Sequence, residues 1–187
     1  MSASYPQTGV HFGGKRFGFE FPVNCYNITV MSFPDPRHNH AHCTADLVKR
    51  AERICERRGS RLTAQRRDVL DCVAQSHQAA GAYEIIERMA ANGPRPAPIT
   101  VYRALDFLLA HGLVHKIESR NAFIACSHAH DGEPAALLIC EGCGIVAELD
   151  APETFSVLAR QAAAQGFKAE RTVVEIAGHC SLCAGSA

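Results

Sequence analysis

Thr100-Val101-Tyr102-Arg103-Ala104-Leu105-Asp106-Phe107-Leu108-Leu109-Ala110-His111-Gly112 runs straight into Leu113-Val114-His115-Lys116-Ile117, Glu118-Ser119-Arg120-Asn121 and Ala122-Phe123-Ile124-Ala125-Cys126. In the first part Val101, Leu105, Leu108 and Leu109 follow helical spacing, with Thr100 placed to cap the helix and Gly112 to close it. The two short apolar runs that follow flank a polar turn, which predicts a β-hairpin. Upstream, the same reasoning predicts three more helices. The first starts at a Thr44 cap, carries Leu47, Val48, Ala51, Ile54 and Cys55, and exits at Gly59. The second starts at Thr63 and faces Val69, Leu70 and Val73 inward. The third begins around Tyr83 and stops at Asn92-Gly93-Pro94, before the Pro-rich linker Arg95–Pro98. A leading helix, three more and a hairpin form the pattern of a winged helix-turn-helix over residues 43–126.

Beyond the hairpin the pattern alternates. It predicts a strand at Ala136–Ile139, a strand at Ile145–Leu149, a helix near Pro152–Gln165 and a strand at Thr172–Ile176. Residues 134–187 thus read as a small α/β unit, and the fold class as α+β, with the boundary near residues 126–134. Residues 1–42 differ from both parts. They hold five Phe among Gly, Pro and Asn, show no periodicity, and end in His38-Asn39-His40-Ala41-His42. They are expected to be a disordered extension, with Met31 an alternative start.

The whole chain has 187 residues, 47% of them hydrophobic and 20% charged, which permits a core and excludes global disorder. No apolar run reaches the length of a spanning helix, and the N-terminus lacks the order of a signal peptide. Nine cysteines without a secretory signal fit a reducing cytoplasm. The formal net charge is zero, but the charges are segregated. Residues 43–125 carry thirteen Lys/Arg against nine Asp/Glu, a net of +4; residues 126–187 carry three against eight, a net of −5. That asymmetry suits one part meeting a polyanion and another that does not.

Two groups of residues carry chemistry. Cys140-Glu141-Gly142-Cys143 and Cys180-Ser181-Leu182-Cys183 are two C-x-x-C knuckles, separated by 36 residues. Two residues between thiolates let both reach one ion, and two knuckles complete a sulfur site of the kind that holds structural zinc. The second group is looser: His115 and Cys126 on the hairpin, His128 and His130 after it, and Glu148 on the strand following the first knuckle. This mixture of nitrogen, thiolate and carboxylate suits zinc if it converges. On the other side of the chain, the helix at Thr100–Leu105 offers hydroxyl, phenol and guanidinium groups in its first turns. Arg103 can form a bidentate pair with guanine, while Arg66, Arg67 and Tyr83 can add phosphate or base contacts.

The motifs Arg61-Leu62-Thr63-Ala64-Gln65-Arg66, Thr100–Leu105, Cys140-x-x-Cys143-Gly144 and Cys180-x-x-Cys183 together resemble the ferric uptake regulator (Fur) superfamily. The run Val101–Leu109 and the segment Gly112–Ser119 are similar to its zinc uptake regulator (Zur) branch. The match covers about residues 46–183. The resemblance implies a homodimeric bacterial repressor, not an enzyme, which binds palindromic double-stranded operator DNA and controls zinc uptake genes. It implies about two zinc ions per subunit. One is structural, at Cys140, Cys143, Cys180 and Cys183; the other is regulatory, at His115, Cys126, Glu148 and a histidine of the intervening loop. His128 and His130 both qualify, and His130 is taken because it leaves more chain to turn back toward Glu148. The family's DNA contacts fall on Tyr83 and Arg103, with Arg66 near the backbone and Thr100 at the head of the reading helix. Cys126 favours zinc over iron as the sensed metal. The rival readings are an iron or peroxide sensor of the same fold, a thiol redox switch, and a zinc hydrolase using Glu148 as its base.

Overall fold

The computed structural model describes residue 33 and residues 40–127 and 135–185, with side chains in the first helix from residue 44 onward. Its order is α1 (His40–Arg57), α2 (Ala64–Ala74), β1 (Ala80–Gly81), α3 (Ala82–Ala91), α4 (Pro98–Ala110), β2 (Val114–Ile117), a 3-10 turn at Glu118–Arg120 and β3 (Ala122–Ala125). After these come β4 (Ala136–Cys140), β5 (Val146–Leu149), α5 (Pro152–Ala164), β6 (Glu175–Gly178) and the short α6 (Ser181–Ala184). The α+β class is borne out. One three-stranded antiparallel sheet, ordered β1-β3-β2, carries the hairpin; a second, ordered β5-β4-β6, carries the first knuckle.

Three local expectations are corrected. Helix α1 begins four residues before Thr44, so residues 40–42 belong to it and not to an irregular extension. No Pro or Gly lies between Arg37 and Arg58, and nothing halts the helix at Thr44. The remainder of the expected extension, Met31 included, lies outside the described residues, Phe33 aside. Thr100 does not cap α4. Ala97 holds the cap position and Pro98 the first turn, where a missing N–H costs nothing and the fixed φ is already helical. The last strand is Glu175–Gly178, not Thr172–Ile176, because parallel pairing with β4 sets Leu137 beside Glu175 and Cys140 beside Gly178. Thr63 does cap α2, its hydroxyl accepting the Arg66 N–H at 3.4 Å.

The helices share a core with the hairpin. Leu70, Ile85, Ile86, Val101, Leu105, Leu108 and Leu113 are fully buried there with Val114 and Phe123, each such side chain stabilising by about 1.5–3 kcal/mol. Strand alternation turns the other face of the hairpin toward the second sheet. Ile117 and Ile124 pack there against Leu137, Ile139 and Val146 in a separate apolar cluster. A backbone bridge joins Gln78 to Ile145, and the Val146 N–H donates to the His77 carbonyl at 2.9 Å. Among the described residues no helix is long and apolar enough to cross a membrane.

Candidate metal centres and nucleic-acid interface

The period of two along each strand assembles the junction group. His115 shares a face with Ile117, Cys126 with Ile124, and Glu148 with Val146, so all three stand at the margin of the apolar cluster between the sheets. One ligand atom from each lies within 4.8 Å of the other two. Glu148 is 7% exposed and Cys126 2%, so this is a buried site. The Glu148 carboxylate accepts the Ser127 N–H at 2.7 Å and the Cys126 thiol at 3.8 Å, and His115 Nε2 lies 3.4 Å from it. A carboxylate held this deep needs compensation, and its neighbours are an imidazole and a thiol, both metal ligands. The donor set fits zinc. Cys126 is anchored on both sides: its N–H donates to the Leu113 carbonyl at 3.0 Å, and its own carbonyl accepts from the Arg50 guanidinium of α1. The sequence offered no signal for that Arg50 contact. His130 and His128 lie outside the described residues.

The knuckles converge as their spacing predicts. All four sulfur atoms of Cys140, Cys143, Cys180 and Cys183 lie within 4.8 Å of one another, unbridged by disulfides. Sulfurs about 2.3 Å from a tetrahedral centre are about 3.8 Å apart, and Cys143 Sγ lies 3.8 Å from Cys180 Sγ. The set fits a zinc ion held by thiolates alone. Backbone donors prepare it. The Cys180 N–H points at Cys140 Sγ from 3.3 Å, and with further backbone N–H groups it pulls the Cys140 thiol down to about 5. The Cys183 thiol, facing Cys180 and Cys140, is pushed up to about 12. Parallel pairing of β4 with β6 explains how knuckles 36 residues apart meet, since it ends at Cys140 and Gly178. Gln78 reaches into this site too, its Nε2 donating to the Cys143 carbonyl at 2.7 Å.

The exposed stripe of α4 holds Ile99, Tyr102, Arg103, Asp106 and Ala110, opposite buried Val101, Ala104, Leu105 and Leu108. Tyr83, 66% exposed, stands in the first turn of α3. Thr100 sits in the first turn of α4 and is half-buried. Arg66 is held more firmly than the sequence suggests. Its guanidinium lies 3.4 Å over the Phe107 ring, which itself stacks on His111, and donates to the Arg61 carbonyl.

The family model "Ferric uptake regulator family" matches residues 57–177. The zinc uptake regulation protein of Escherichia coli (strain K12) is 39% identical over 142 residues, 75% of this chain and 82% of that protein. The peroxide operon regulator of Bacillus subtilis (strain 168) is 28% identical over 144 residues, 74% of this chain and 94% of that one. A solved structure of a zinc uptake regulator complexed with zinc and DNA is similar at a TM-score of 0.72 and 39% identity, covering 76% of this chain and 96% of its own. The crystal structure of holo XcZur is similar at 0.70 and 39% identity, covering 76% and 99%.

Proposed function

This chain belongs to the ferric uptake regulator family, in its zinc uptake regulator branch, and from that premise we propose that it is a zinc-responsive repressor acting on operator DNA in the cytoplasm. It works as a dimer on a palindromic operator, the two copies of α4 reading two half-sites. Tyr83 and Arg103 contact the DNA, with Arg66 near its backbone and Thr100 in the first turn of the reading helix. The basic net charge of residues 43–125 supports that reading, as does the exposed stripe on α4. Cys140, Cys143, Cys180 and Cys183 would hold a structural zinc. His115, Cys126 and Glu148, with His130 added, would hold the regulatory one, for about two ions per subunit. The four helices and the hairpin at 43–126 form the reading unit, and 134–187 the dimerisation unit.

The observation that carries the proposal is the meeting of half-buried His115 with buried Cys126 and Glu148 between the two sheets. Bound there, zinc supplies positive charge that offsets the buried carboxylate and joins donors of both sheets. His115 and Cys126 belong to the hairpin that packs on the reading helix, and Glu148 belongs to the second sheet. Drawing these side chains together therefore fixes the attitude of the reading unit. A dimer whose two reading helices keep one separation matches both half-sites at once. Tenfold to hundredfold tighter binding requires only about 1.4–2.8 kcal/mol of coupling. Peroxide sensing is less well supported, because the junction pairs a thiol with the imidazole and carboxylate.

The test is operator binding by wild type and Cys126→Ser across buffered free zinc. The variant is expected to stay folded and dimeric, to retain zinc at the four cysteines, and to lose zinc-stimulated binding. Stimulation equal to wild type would refute the proposal.

A further inference from the structure

We propose that Glu175 is a positioning residue for DNA recognition, a latch that needs no metal and ties the turn of the hairpin to the C-terminal sheet. The inference rests on the repressor reading and adds a second determinant of the attitude of the reading helix. Glu175 accepts the Glu118 N–H at 2.6 Å and the Ser119 N–H at 3.2 Å, one on each carboxylate oxygen. These donors are the first two residues of the turn between β2 and β3. Glu118 answers in the opposite sense: its carboxylate takes Lys116 of β2 at 2.7 Å and Arg171, which precedes β6. Two carboxylates are thus crossed over the boundary between the sheets. Burial by itself raises the Glu175 carboxyl, but the donors of Ser119 and Glu118 outweigh it and hold it below its ordinary value.

The placement of the latch gives it a mechanical role. Leu137 on the central strand has Glu148 beside it on one side and Glu175 on the other. In-register neighbours share a face, and adjacent strands lie about 4.8 Å apart. The backbone positions of the two glutamates therefore stand roughly 10 Å apart, with both side chains on the face that meets the hairpin. Leu137 lies between them, within the apolar cluster. One attachment leaves the hairpin free to pivot about it; two attachments on either side of an apolar contact do not. Glu148 is the attachment that metal would close. Glu175 closes the other with backbone hydrogen bonds to a charged acceptor, the stronger kind.

The experiment compares full-length wild type with Glu175→Gln, since Gln keeps the shape but replaces one of the two accepting oxygens with an NH2 that cannot accept. The readouts are operator affinity across buffered zinc, zinc affinity at each centre, unfolding midpoint, and amide exchange at Glu118 and Ser119. Exchange at those two amides is expected to quicken, and operator affinity at saturating zinc to fall about tenfold. Zinc affinity at the junction should fall by a similar factor, while the four-cysteine centre is unchanged; a purely structural role would not produce that split. Glu175→Asp, which keeps both oxygens, should recover part of the loss. Arg171→Gln should act in the same direction, more weakly, and serves if Glu175→Gln does not fold. Wild-type operator affinity and exchange rates in Glu175→Gln would overturn the latch. If wild type itself ignored zinc, the zinc reading would fail, and the latch would stand or fall on exchange and operator affinity alone.

Discussion

Replacing Arg103 by Ala separates base reading from backbone binding. Arg103 lies on the exposed stripe of α4, and among the described residues its side chain enters no ion pair or hydrogen bond. Removing it disturbs none of the buried stripe formed by Val101, Ala104, Leu105 and Leu108, so stability should move by no more than about 0.5 kcal/mol. A bidentate Arg–guanine pair is worth about 1–3 kcal/mol. A dimer carries two copies, so the operator should lose about 2–6 kcal/mol, on the order of thirtyfold to ten-thousandfold in affinity. Arg103→Lys keeps the charge without the planar fork and should fall between wild type and Ala. The assay is fluorescence anisotropy with operator DNA and with scrambled DNA of equal length, at saturating zinc and several salt concentrations. The operator should lose far more than the scrambled duplex, with a nearly unchanged salt slope. Equal losses on both, with a shallower slope, would make Arg103 a phosphate contact. No loss on either would refute α4 as the reader.

Other substitutions test the centres and the latch. A Cβ on Gly142 would sit 3.0 Å from both Cβ and Sγ of Cys183 and 3.5 Å from His179 Cδ2. Gly142→Ala should therefore release zinc to a chelator faster than wild type, with a lower melting temperature by calorimetry; unchanged zinc retention contradicts the packing argument. Thr63→Ala removes the α2 cap and should cost about 0.5–1 kcal/mol in denaturant unfolding, while leaving zinc content alone. The latch also predicts a pH dependence. Glu118, held down by Lys116 and then Arg171, and Glu175 both titrate below their ordinary value of 4.5. Their contribution is present above that value and is lost as pH falls through the lowered folded values. The stability difference between wild type and Glu175→Gln should stay constant from neutral pH down to the ordinary carboxylate range and close only below it. A difference that closes near pH 7 would mean that another group is titrating.

Much of this chain was legible because its signals are local. The Thr63 cap, the hairpin around Glu118–Asn121, and the helical spacing of Val101, Leu105 and Leu108 depend on residues within a few positions of one another. Two of the three corrections were local as well; the third, the shift of the last strand to Glu175–Gly178, came from its pairing with β4. Thr44 and Thr100 carry capping side chains, but a breaker-free run upstream of the first and Pro98 upstream of the second moved both helix starts. Strand β1 is only two residues long and exists because Phe123 and Ala122 of β3 pair with it. Nothing in Ala80-Gly81 alone predicts that.

By its residue order alone, this chain determined its helices and hairpin and which thiols could share an ion, because hydrophobic period and ligand spacing act over a few residues. Tertiary structure alone decided which distant groups meet. Parallel pairing of β4 with β6 closes the two knuckles and puts Glu175 two strands from Glu148. Packing of the hairpin on the second sheet brings His115 and Cys126 to Glu148, and Glu118 and Ser119 to Glu175. Strand register and sheet packing set such meetings, and both depend on the whole core being assembled at once.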